Sequence, residues 1–539
     1  MVYDVIIIGG GMAGLTAGAF TADAGYSVLI CEKENQVGGL INSFKKNGFT
    51  YDSGIRAIED SGIVFPMLKS LGINIEFVKS RVSLGIEDQV IPVVSDDNLK
   101  DYFTLLVGLY PENRDDIKKI ISYIKTIMKY MYVLYGVENP IFKDLKHDRQ
   151  YVFKTLLPWL GKFLLTIGKI NQMNIPVQQQ LKKFTKNQSL IDIISQHFFK
   201  GTPAFFAMSY FSLYLDYSYP VGGTGMLPRK IEDFCIEKRV EIVKKRKIIK
   251  INPENHSVAD EQGNVYFYKK LIWAADQKTM YQCLYMNTIS DFSLKRKAMA
   301  RKNEIAEKIG GDSVFTLYLS VDLVPSYFSK ISNGHFFYTP LRRGLGESIY
   351  SELNYLLSLF SENSAQKNLE KIKGWLSNYF KYTTYEISIP VLRDKKLAPP
   401  GKTGLIISVL FDYELCKKLD EKGLFDGIRT YIEDCIINVL SESIYPQLQS
   451  NIFDRFSSSP LSIAKRIGSS EGAITGWAFS NKPIPAVHKM QHVSRAVLTP
   501  FKDIFQAGQW TYSPSGLPIA ILTGKLAANR VIAKLKGTF

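Results

Sequence analysis

The sequence predicts an α/β fold, and three observations near its start indicate it. Val5 to Ile8 is an apolar, β-branched run typical of a buried parallel strand. Glycines at positions 9, 11 and 14 follow, where a helix is expected to begin. A second apolar run, Val28 to Cys31, leads directly to Glu32. Strand, glycine-rich turn, helix and a second strand closed by an acid together predict a Rossmann-like dinucleotide-binding unit.

Each glycine of this turn has its own expected task. Gly9 makes the tight turn, Gly11 lets the backbone approach a pyrophosphate, and Gly14 allows the helix to pack closely on the strand. The N–H groups at the start of the helix then face the phosphates. Glu32 is placed to accept both hydroxyls of an adenosine ribose. This fingerprint alone does not distinguish NAD from FAD.

Composition indicates a globular chain with more than one core. At 539 residues the chain exceeds the usual size of one domain. The five cysteines are widely separated and the six histidines form no cluster, so we expect no metal site and a reducing compartment. No uncharged apolar run reaches the roughly 18 residues of a membrane span, and the N-terminus lacks the basic region of a signal peptide. A cytoplasmic location is therefore expected.

The net charge of +16 favours an anionic partner. Between Lys146 and Lys186, eight Lys or Arg residues stand against one acid, Asp148. Apolar residues suited to a membrane interface share this window: Phe153, Leu156, Leu157, Trp159, Leu160, Phe163, Leu164 and Leu165. Two interpretations stay open, a segment lying on anionic headgroups and an ordinary cap helix with a solvated basic face. Nucleic acid is not expected, because no nucleic-acid-binding motif accompanies the charge.

Two further glycine motifs favour FAD over NAD. The pair Gly38-Gly39 follows Glu32 closely, and Tyr51 to Gly54 forms a second turn around Asp52. The pair can bring another loop against the cofactor, and the turn can bring backbone close to a flavin ring, both at places where a side chain would obstruct.

These motifs resemble those of the FAD-binding amine oxidase and phytoene desaturase superfamily. The turn Tyr219 to Gly223, which opens a helix, is similar to the branch of bacterial phytoene desaturases, carotenoid isomerases and retinol saturases. Two departures stand out. Leu40 replaces a frequent Arg, and Ile55-Arg56 replaces Pro or another small residue. Arg56 then supplies the missing charge near the cofactor, faces the substrate, or points outward.

The resemblance implies a discontinuous Rossmann-like FAD-binding domain from residues 1–75, 220–280 and 455–539. A mixed-sheet substrate domain would comprise 76–219 and 281–454, with a helical cap and membrane-contacting subdomain at about 100–200. The cofactor-binding residues it implies are Gly9, Gly11, Met12, Ala13, Gly14, Glu32, Lys33, Gly38, Gly39, Leu40, Gly54, Ile55, Arg56, Ile248, Ala275, Gly508, Gln509, Gly516, Leu517 and Pro518.

Between these segments the patterns predict helices, then strands. An apolar stripe at spacings of three and four residues, from Ile117 to Met128, predicts an amphipathic helix in the cap. The aromatic stretch Phe205 to Tyr219 lines an apolar tunnel or fills a core. Arg239 to Ile251 predicts strands, Asn252 to Gly263 a turn, and Lys270 to Trp273 a returning strand.

The implied reaction is hydride transfer between flavin and a long apolar isoprenoid or polyene, giving desaturation, saturation or isomerisation. Candidate acid/base residues near the ring are Asp52, Arg56, Glu59 and Tyr512, although Asp52 is equally suited to a structural turn. A flavin amine oxidase and a lipid- or quinone-binding flavoprotein without turnover remain as alternatives. Expected partners are the lipid substrate and an anionic membrane surface, with the protein peripheral on the membrane; the sequence does not predict an oligomeric state.

Overall fold

The structure is a computed structural model that describes residues 2–360 and 368–537. Its strands, in chain order, are β1 (Val2–Ile8), β2 (Val28–Cys31), β3 (Ser43–Lys46), β4 (Phe49–Asp52), β5 (Phe77–Lys79), β6 (Val82–Ile86), β7 (Gln89–Val93), β8 (Ser218–Pro220), β9 (Glu241–Val243), β10 (Ile248–Asn252), β11 (Ser257–Asp260), β12 (Val265–Trp273), β13 (Ser313–Val321), β14 (His335–Thr339), β15 (Tyr385–Ser388), β16 (Thr403–Phe411), β17 (Ile452–Ser458) and β18 (Ile504–Gln506).

Its α-helices are α1 (Met12–Asp23), α2 (Val64–Ser70), α3 (Asn98–Leu109), α4 (Arg114–Tyr135), α5 (Arg149–Tyr151), α6 (Leu157–Asn171), α7 (Val177–Leu181), α8 (Gln188–Ser195), α9 (Ala204–Asp216), α10 (Met226–Glu237), α11 (Gln277–Cys283), α12 (Phe292–Ala306), α13 (Pro325–Ser329), α14 (Ser348–Leu359), α15 (Leu369–Tyr382), α16 (Tyr413–Glu421), α17 (Phe425–Ser443), α18 (Pro460–Ile467) and α19 (Leu517–Leu535).

The first sheet brings together strands from three distant stretches of chain. Its order is β10-β11-β12-β1-β2-β9, and β18 pairs in parallel with β12. Strand β1 lies between β2 and β12, parallel to both, with Ile8 in register with Cys31 and Trp273. Its residues Val5 to Ile7 are fully buried, because helices cover both faces of a parallel sheet. The predicted α/β, Rossmann-like fold is confirmed.

One local prediction is wrong. The stretch Asn252 to Gly263, expected to be a single turn, contains strand β11. This strand pairs antiparallel with β10 on one side and β12 on the other. It is short and polar at both ends, with Asp260 capping a tight turn at Gln262 and Asn264, so local composition resembles a loop. The ladder hydrogen bonds of its neighbours decide its conformation.

The second sheet is mixed, as predicted. Its order is β17-β13-β16-β15-β14-β6-β7, and every neighbouring pair is antiparallel except β14 with β6. One face packs against α14, α15 and α17 in a core of large aromatic and aliphatic residues. The central strands carry small polar and aromatic side chains on the other face, which looks towards the first sheet and the helical cap.

Helices α3, α4 and α7 to α9 form the packed part of the cap. The predicted stripe on α4 is buried, from Ile117 to Met128, and the aromatic stretch forms α9. Hydrophobic periodicity was sufficient for α4 because its apolar stripe packs against α3 and α9. Among the described residues, no helix is both long and apolar enough to cross a lipid bilayer.

Candidate active site

One continuous cavity of about 1100 Å³ connects the first sheet with the second sheet and the cap. We call the part beside α1, α19 and the end of β2 the cleft. We call the part enclosed by the second sheet, α6 and α9 the chamber. The chamber is lined chiefly by aromatic and aliphatic side chains: Tyr135, Trp159, Phe163, Ile167, Ile170, Phe198, Phe205, Phe206, Tyr210, Tyr217 and Phe337.

The predicted cofactor residues meet in the cleft. With one exception, all of the residues predicted to bind the cofactor line the cavity, although they come from three distant segments of the chain, 9–56, 248–275 and 508–518. The exception is Gly14, where an added Cβ would lie 1.9 Å from the carbonyl oxygen of Gly9. That contact agrees with the packing task expected of Gly14.

The glycines of the first turn differ in what surrounds them. An added Cβ at Gly9, whose φ is +102°, would lie 2.8 Å from the oxygen of Ala274. At Gly11 it would meet no protein atom within 4 Å, because that face of the residue opens into the cleft. Gly9 and Gly14 are therefore needed for the fold, whereas Gly11 leaves space for a ligand.

Two helix N-termini point their free N–H groups at the cleft. Helix α1 begins after Gly11 and α19 after Gly516, and neither has a side-chain cap. Uncapped N–H groups and the positive end of the helix dipole favour negative charge, such as a pyrophosphate or an anionic ring. The two helix N-termini therefore make the cleft suitable for the negatively charged parts of a dinucleotide.

Glu32 completes the dinucleotide cleft. Its Oε2 accepts a hydrogen bond from Gly10 N–H at 2.7 Å, and its Oε1 accepts one from Glu34 N–H at 2.9 Å. These two bonds fix the carboxylate where it lines the cavity. Each oxygen keeps a second lone pair, so the group is able to accept ribose hydroxyls as the sequence predicted.

Asp52 lies outside the cavity wall and is fully buried. Its Oδ1 accepts hydrogen bonds from Ser43 Oγ–H at 2.7 Å and from the N–H and Oγ1–H of Thr224, both at 2.9 Å. Its Oδ2 accepts one from the Tyr219 hydroxyl at 2.7 Å. This geometry favours the structural alternative over an acid/base role, because the carboxylate joins β4 to the turn before α10.

Arg56 lines the cavity and is 3% exposed, so the outward-pointing alternative is wrong. Its guanidinium donates to the carbonyl oxygen of Asp52 at 2.7 Å and to Ser408 Oγ at 2.8 Å. These bonds tie the turn after β4 to strand β16 of the second sheet. Arg56 thus stands where the cleft meets the chamber.

Tyr512 and Glu59 also line the cavity. Burial raises the pKa of Tyr512 to about 12, so its hydroxyl keeps its proton at neutral pH. Burial, reinforced by the charge of Asp216, raises the pKa of Glu59 to about 7. Glu59 is therefore a carboxyl able to exchange a proton near neutral pH.

Glu59 should make stability depend on pH. Its pKa rises from 4.5 in the unfolded chain to about 7 in the folded chain, so the folded chain binds the extra proton and loses stability as pH rises through this window. Glu59→Gln stays neutral, and we expect it to raise the free energy of unfolding by about 3 kcal/mol at about pH 8 but not near pH 4.5. Urea unfolding of both proteins measures this, with the exposed Glu352→Gln as control. An equal effect at both pH values would contradict the assignment.

Four polar residues of the chamber region were not predicted from the sequence: His197, His335, Glu386 and Arg393. Glu386 Oε1 lies 2.9 Å from His335 Nε2, and Arg393 donates to the carbonyl oxygen of Arg56 at 2.6 Å. Each stands alone in its stretch of sequence, so no local motif signals it. The alternation of inward and outward residues on β14 and β15 becomes informative only with the strand register, which sequence spacing does not provide.

Helix α6 carries apolar residues on two opposite faces. Trp159, Phe163, Ile167 and Ile170 line the chamber. On the outer side, Leu157 is 51%, Leu160 40%, Leu164 61% and Leu165 75% exposed. A helix that is apolar all round normally has both faces covered, so the outer leucines lack a partner in the described residues.

Comparisons with known proteins agree with this architecture. Residues 7–71 match the model of a family described as an NAD(P)-binding Rossmann-like domain. The chain is 23% identical over 566 residues to 4,4'-diapophytoene desaturase (4,4'-diaponeurosporene-forming) of Staphylococcus aureus, and the match covers 99% of each.

Among solved structures, an oxidoreductase from Methanosarcina mazei is similar with a TM-score of 0.61 at 13% identity, covering 98% of this chain and 99% of the other. Cyclohexylamine oxidase from Brevibacterium oxydans gives a TM-score of 0.58 at 11% identity, covering 99% and 100%. At these low sequence identities the two structures support the fold alone.

A Rossmann-like sheet with a cleft that opens into a chamber is the architecture of an oxidoreductase. Over its full length the chain is similar to a desaturase, which relates it to the superfamily of FAD-binding amine oxidases and desaturases.

Proposed function

We propose that this chain is an FAD-dependent oxidoreductase of the phytoene desaturase type, which transfers hydride between flavin and a long apolar isoprenoid or polyene. One observation carries the proposal: the cleft that fits a dinucleotide opens without a partition into a chamber walled by aromatic side chains. A reacting carbon of an isoprenoid bound in the chamber would contact the flavin ring of a cofactor bound in the cleft. The named activity of the desaturase relative supports the same substrate class.

The residues that would hold FAD follow from the cleft. Glu32 would accept the ribose hydroxyls, the N–H groups of Met12 and Ala13 would face the pyrophosphate, and Gly516 to Pro518 would lie by the flavin. Bound FAD supplies the two-electron centre that accepts or releases hydride. The backbone N–H groups at the start of α19 favour negative charge beside them.

Side chains of the protein bind the substrate and hold or release protons beside it. Phe205, Phe206 and Phe337 offer flat apolar surfaces to a long chain and exclude water from it. Glu59 holds or releases a proton at its carboxyl oxygen near neutral pH. Tyr512 keeps its phenolic proton at that pH, so its hydroxyl is able to donate and accept hydrogen bonds but does not act as a phenolate base.

We further propose that the outer face of α6 docks on an anionic membrane surface and that substrate enters beneath this helix. The exposed leucines stand opposite the chamber-lining residues of the same helix, so a single element contacts both lipid and cavity. Lys154 and Lys162 stand exposed among these leucines, as suits contact with anionic headgroups. Of the two interpretations of the basic segment, this arrangement supports the interfacial one.

Exchanging the outer leucines for acids should release the protein from lipid. For the double variant Leu164→Asp, Leu165→Asp we expect about 100-fold weaker partitioning onto anionic vesicles, because two exposed leucines no longer enter the interface and the added charge is repelled. Cosedimentation with vesicles measures it. Phe292→Asp is the matched control, since Phe292 is 76% exposed on α12 but lies outside the cap. Unchanged sedimentation of the double variant would contradict docking through α6.

Product analysis tests the reaction. FAD-loaded protein is incubated with phytoene or 4,4'-diapophytoene in anionic vesicles, without oxygen and with a quinone as electron acceptor, and the lipids are separated by chromatography. We expect products whose number of conjugated double bonds has changed. Inert isoprenoids together with turnover of amines and release of peroxide would instead favour the amine oxidase alternative.

A further inference from the structure

The chamber wall formed by the second sheet carries a polar row inside an otherwise apolar space. Glu386 on β15 is in register with Phe337 on β14 and with Ser408 on β16, and Ser408 is in register with Thr316 on β13. Register partners share a face of the sheet, and all four side chains line the cavity. A carboxylate thus projects into the space where a hydrocarbon chain would lie.

Glu386 is held on one side only. Its Oε1 accepts a hydrogen bond from the buried His335, and no described residue donates to its Oε2. Its side chain is 34% exposed, to the cavity. Burial opposes its ionisation, but the bond from His335 and the charges of Arg56 and Arg393 outweigh burial and lower its pKa. A hydrocarbon packed against this ionised oxygen would desolvate it without compensation, which is costly.

A hydrogen-bond donor lies beside this polar row, close enough to Glu386 for its charge to act on the ring. His197 packs against Phe337, the cross-strand neighbour of Glu386, with ring centroids 5.7 Å apart. Burial lowers the pKa of His197 to about 4, so its ring is neutral. Its Nε2 lies 3.4 Å from the Tyr214 hydroxyl, which has no other acceptor among the described residues. If that hydroxyl donates, the ring proton sits on Nδ1 and remains available.

Charge balance argues for a neutral ligand rather than an ammonium group. The two guanidinium groups of Arg56 and Arg393 stand near two carboxylates, Asp52 and Glu386. These four groups balance one another, and Glu59 adds negative charge only as the pH rises through about 7, so below that pH a cation would add an uncompensated charge. A hydroxyl both donates and accepts, so it matches Glu386 and His197 together.

We propose that the substrate is a long apolar chain bearing a hydroxyl group, which donates to Glu386 Oε2 and accepts from His197. This deepens the proposed function, on which it rests, by naming a polar group on the substrate. The remaining length of the chain lies against the aromatic walls of the chamber.

Binding of a matched ligand pair tests the proposal. The probes are all-trans-retinol and its methyl ether, which share one polyene but differ in the donor. Energy transfer from tryptophan, including Trp159 in the chamber wall, reports binding to the oxidised FAD-loaded protein. We expect the alcohol to bind about tenfold more tightly than the ether, since a hydrogen bond to a charged group is lost in the ether. Equal affinities, or no binding of either probe, would overturn the proposal.

Variants assign the preference to its residues. Glu386→Leu should abolish the preference for the alcohol, whereas Glu386→Gln, which keeps an acceptor, should retain most of it. Asp454→Leu, on β17 of the same sheet but outside the cavity, should leave it unchanged. If Glu386→Leu does not fold, His197→Phe serves instead and should weaken the preference. An undiminished preference in the folded variant would overturn the assignment.

The outcomes separate this inference from the proposed reaction. Conversion of phytoene together with equal binding of alcohol and ether would remove the hydroxyl site and keep the reaction. A clear alcohol preference in a protein that converts no isoprenoid would keep the hydroxyl site and remove the reaction.

Discussion

Replacing Gly11 by Val should weaken FAD binding by about 100-fold or more while leaving the fold intact. The residue has φ −72° and ψ −179°, a conformation that valine adopts, and an added Cβ meets no protein atom within 4 Å. The new side chain would instead fill the cleft where the backbone is expected to approach the pyrophosphate. Flavin content after purification and titration of the apoprotein with FAD measure the loss, and the thermal midpoint of the apoprotein reports the fold.

Variants of two other glycines serve as controls for this result. Gly427→Val, on α17 and with equally open surroundings, should affect neither FAD binding nor folding. Gly14→Val should prevent folding, because its Cβ would overlap the carbonyl oxygen of Gly9. If Gly11→Val retained wild-type affinity for FAD, the cleft would not be the cofactor site.

Replacing Asp52 by Ala should destabilise the protein by about 3–5 kcal/mol, because the change leaves buried donors without their charged acceptor. The fully buried carboxylate accepts four hydrogen bonds, from Ser43, from the N–H and hydroxyl of Thr224, and from Tyr219. Urea unfolding measures the change in the free energy of unfolding.

The surface pair of Asp454 with Lys46 supplies the control. Asp454→Ala breaks an ion pair in which Lys46 is 38% exposed, and should cost less than about 1 kcal/mol. An Asp52→Ala protein of wild-type stability that had lost only its turnover would instead make Asp52 a catalytic residue. Equal stability losses in the two variants would also contradict the structural role.

The cofactor cleft was predictable because its determinants are local. Gly9, Gly11 and Gly14 act through the backbone of one turn, and Glu32 ends the neighbouring strand. Sequence spacing alone therefore gives both the residues and their tasks. The fold class follows from the same turn, since a buried parallel strand requires a crossover helix and a sheet covered on both faces.

The role of Asp52 and the polar wall of the chamber could not be predicted in this way. Asp52 is satisfied by Tyr219 and Thr224, more than 160 positions further along the chain. Glu386 meets its partners His335 and Ser408 only through the register of three strands. Contacts between distant positions depend on sheet pairing, which neither periodicity nor a short motif specifies.

The basic segment shows a different limit. Sequence composition suggested two interpretations of residues 146–186 and gave no means of choosing between them. The choice depends on which leucines of α6 face outward, and this is set by the packing of Trp159 and Phe163 into the chamber. Helical spacing places both sets of residues, but it does not say which side the cap covers.

We expect a flavin bound in the cleft and an isoprenoid bound in the chamber to react with each other. The most direct test follows the visible absorption of FAD-loaded protein without oxygen while an isoprenoid is added in vesicles, starting once from oxidised and once from reduced flavin. We expect one of the two spectra to shift towards the other redox state in proportion to the isoprenoid converted. If neither spectrum changes with any isoprenoid, the chamber does not deliver substrate to the flavin, and the proposed reaction is wrong.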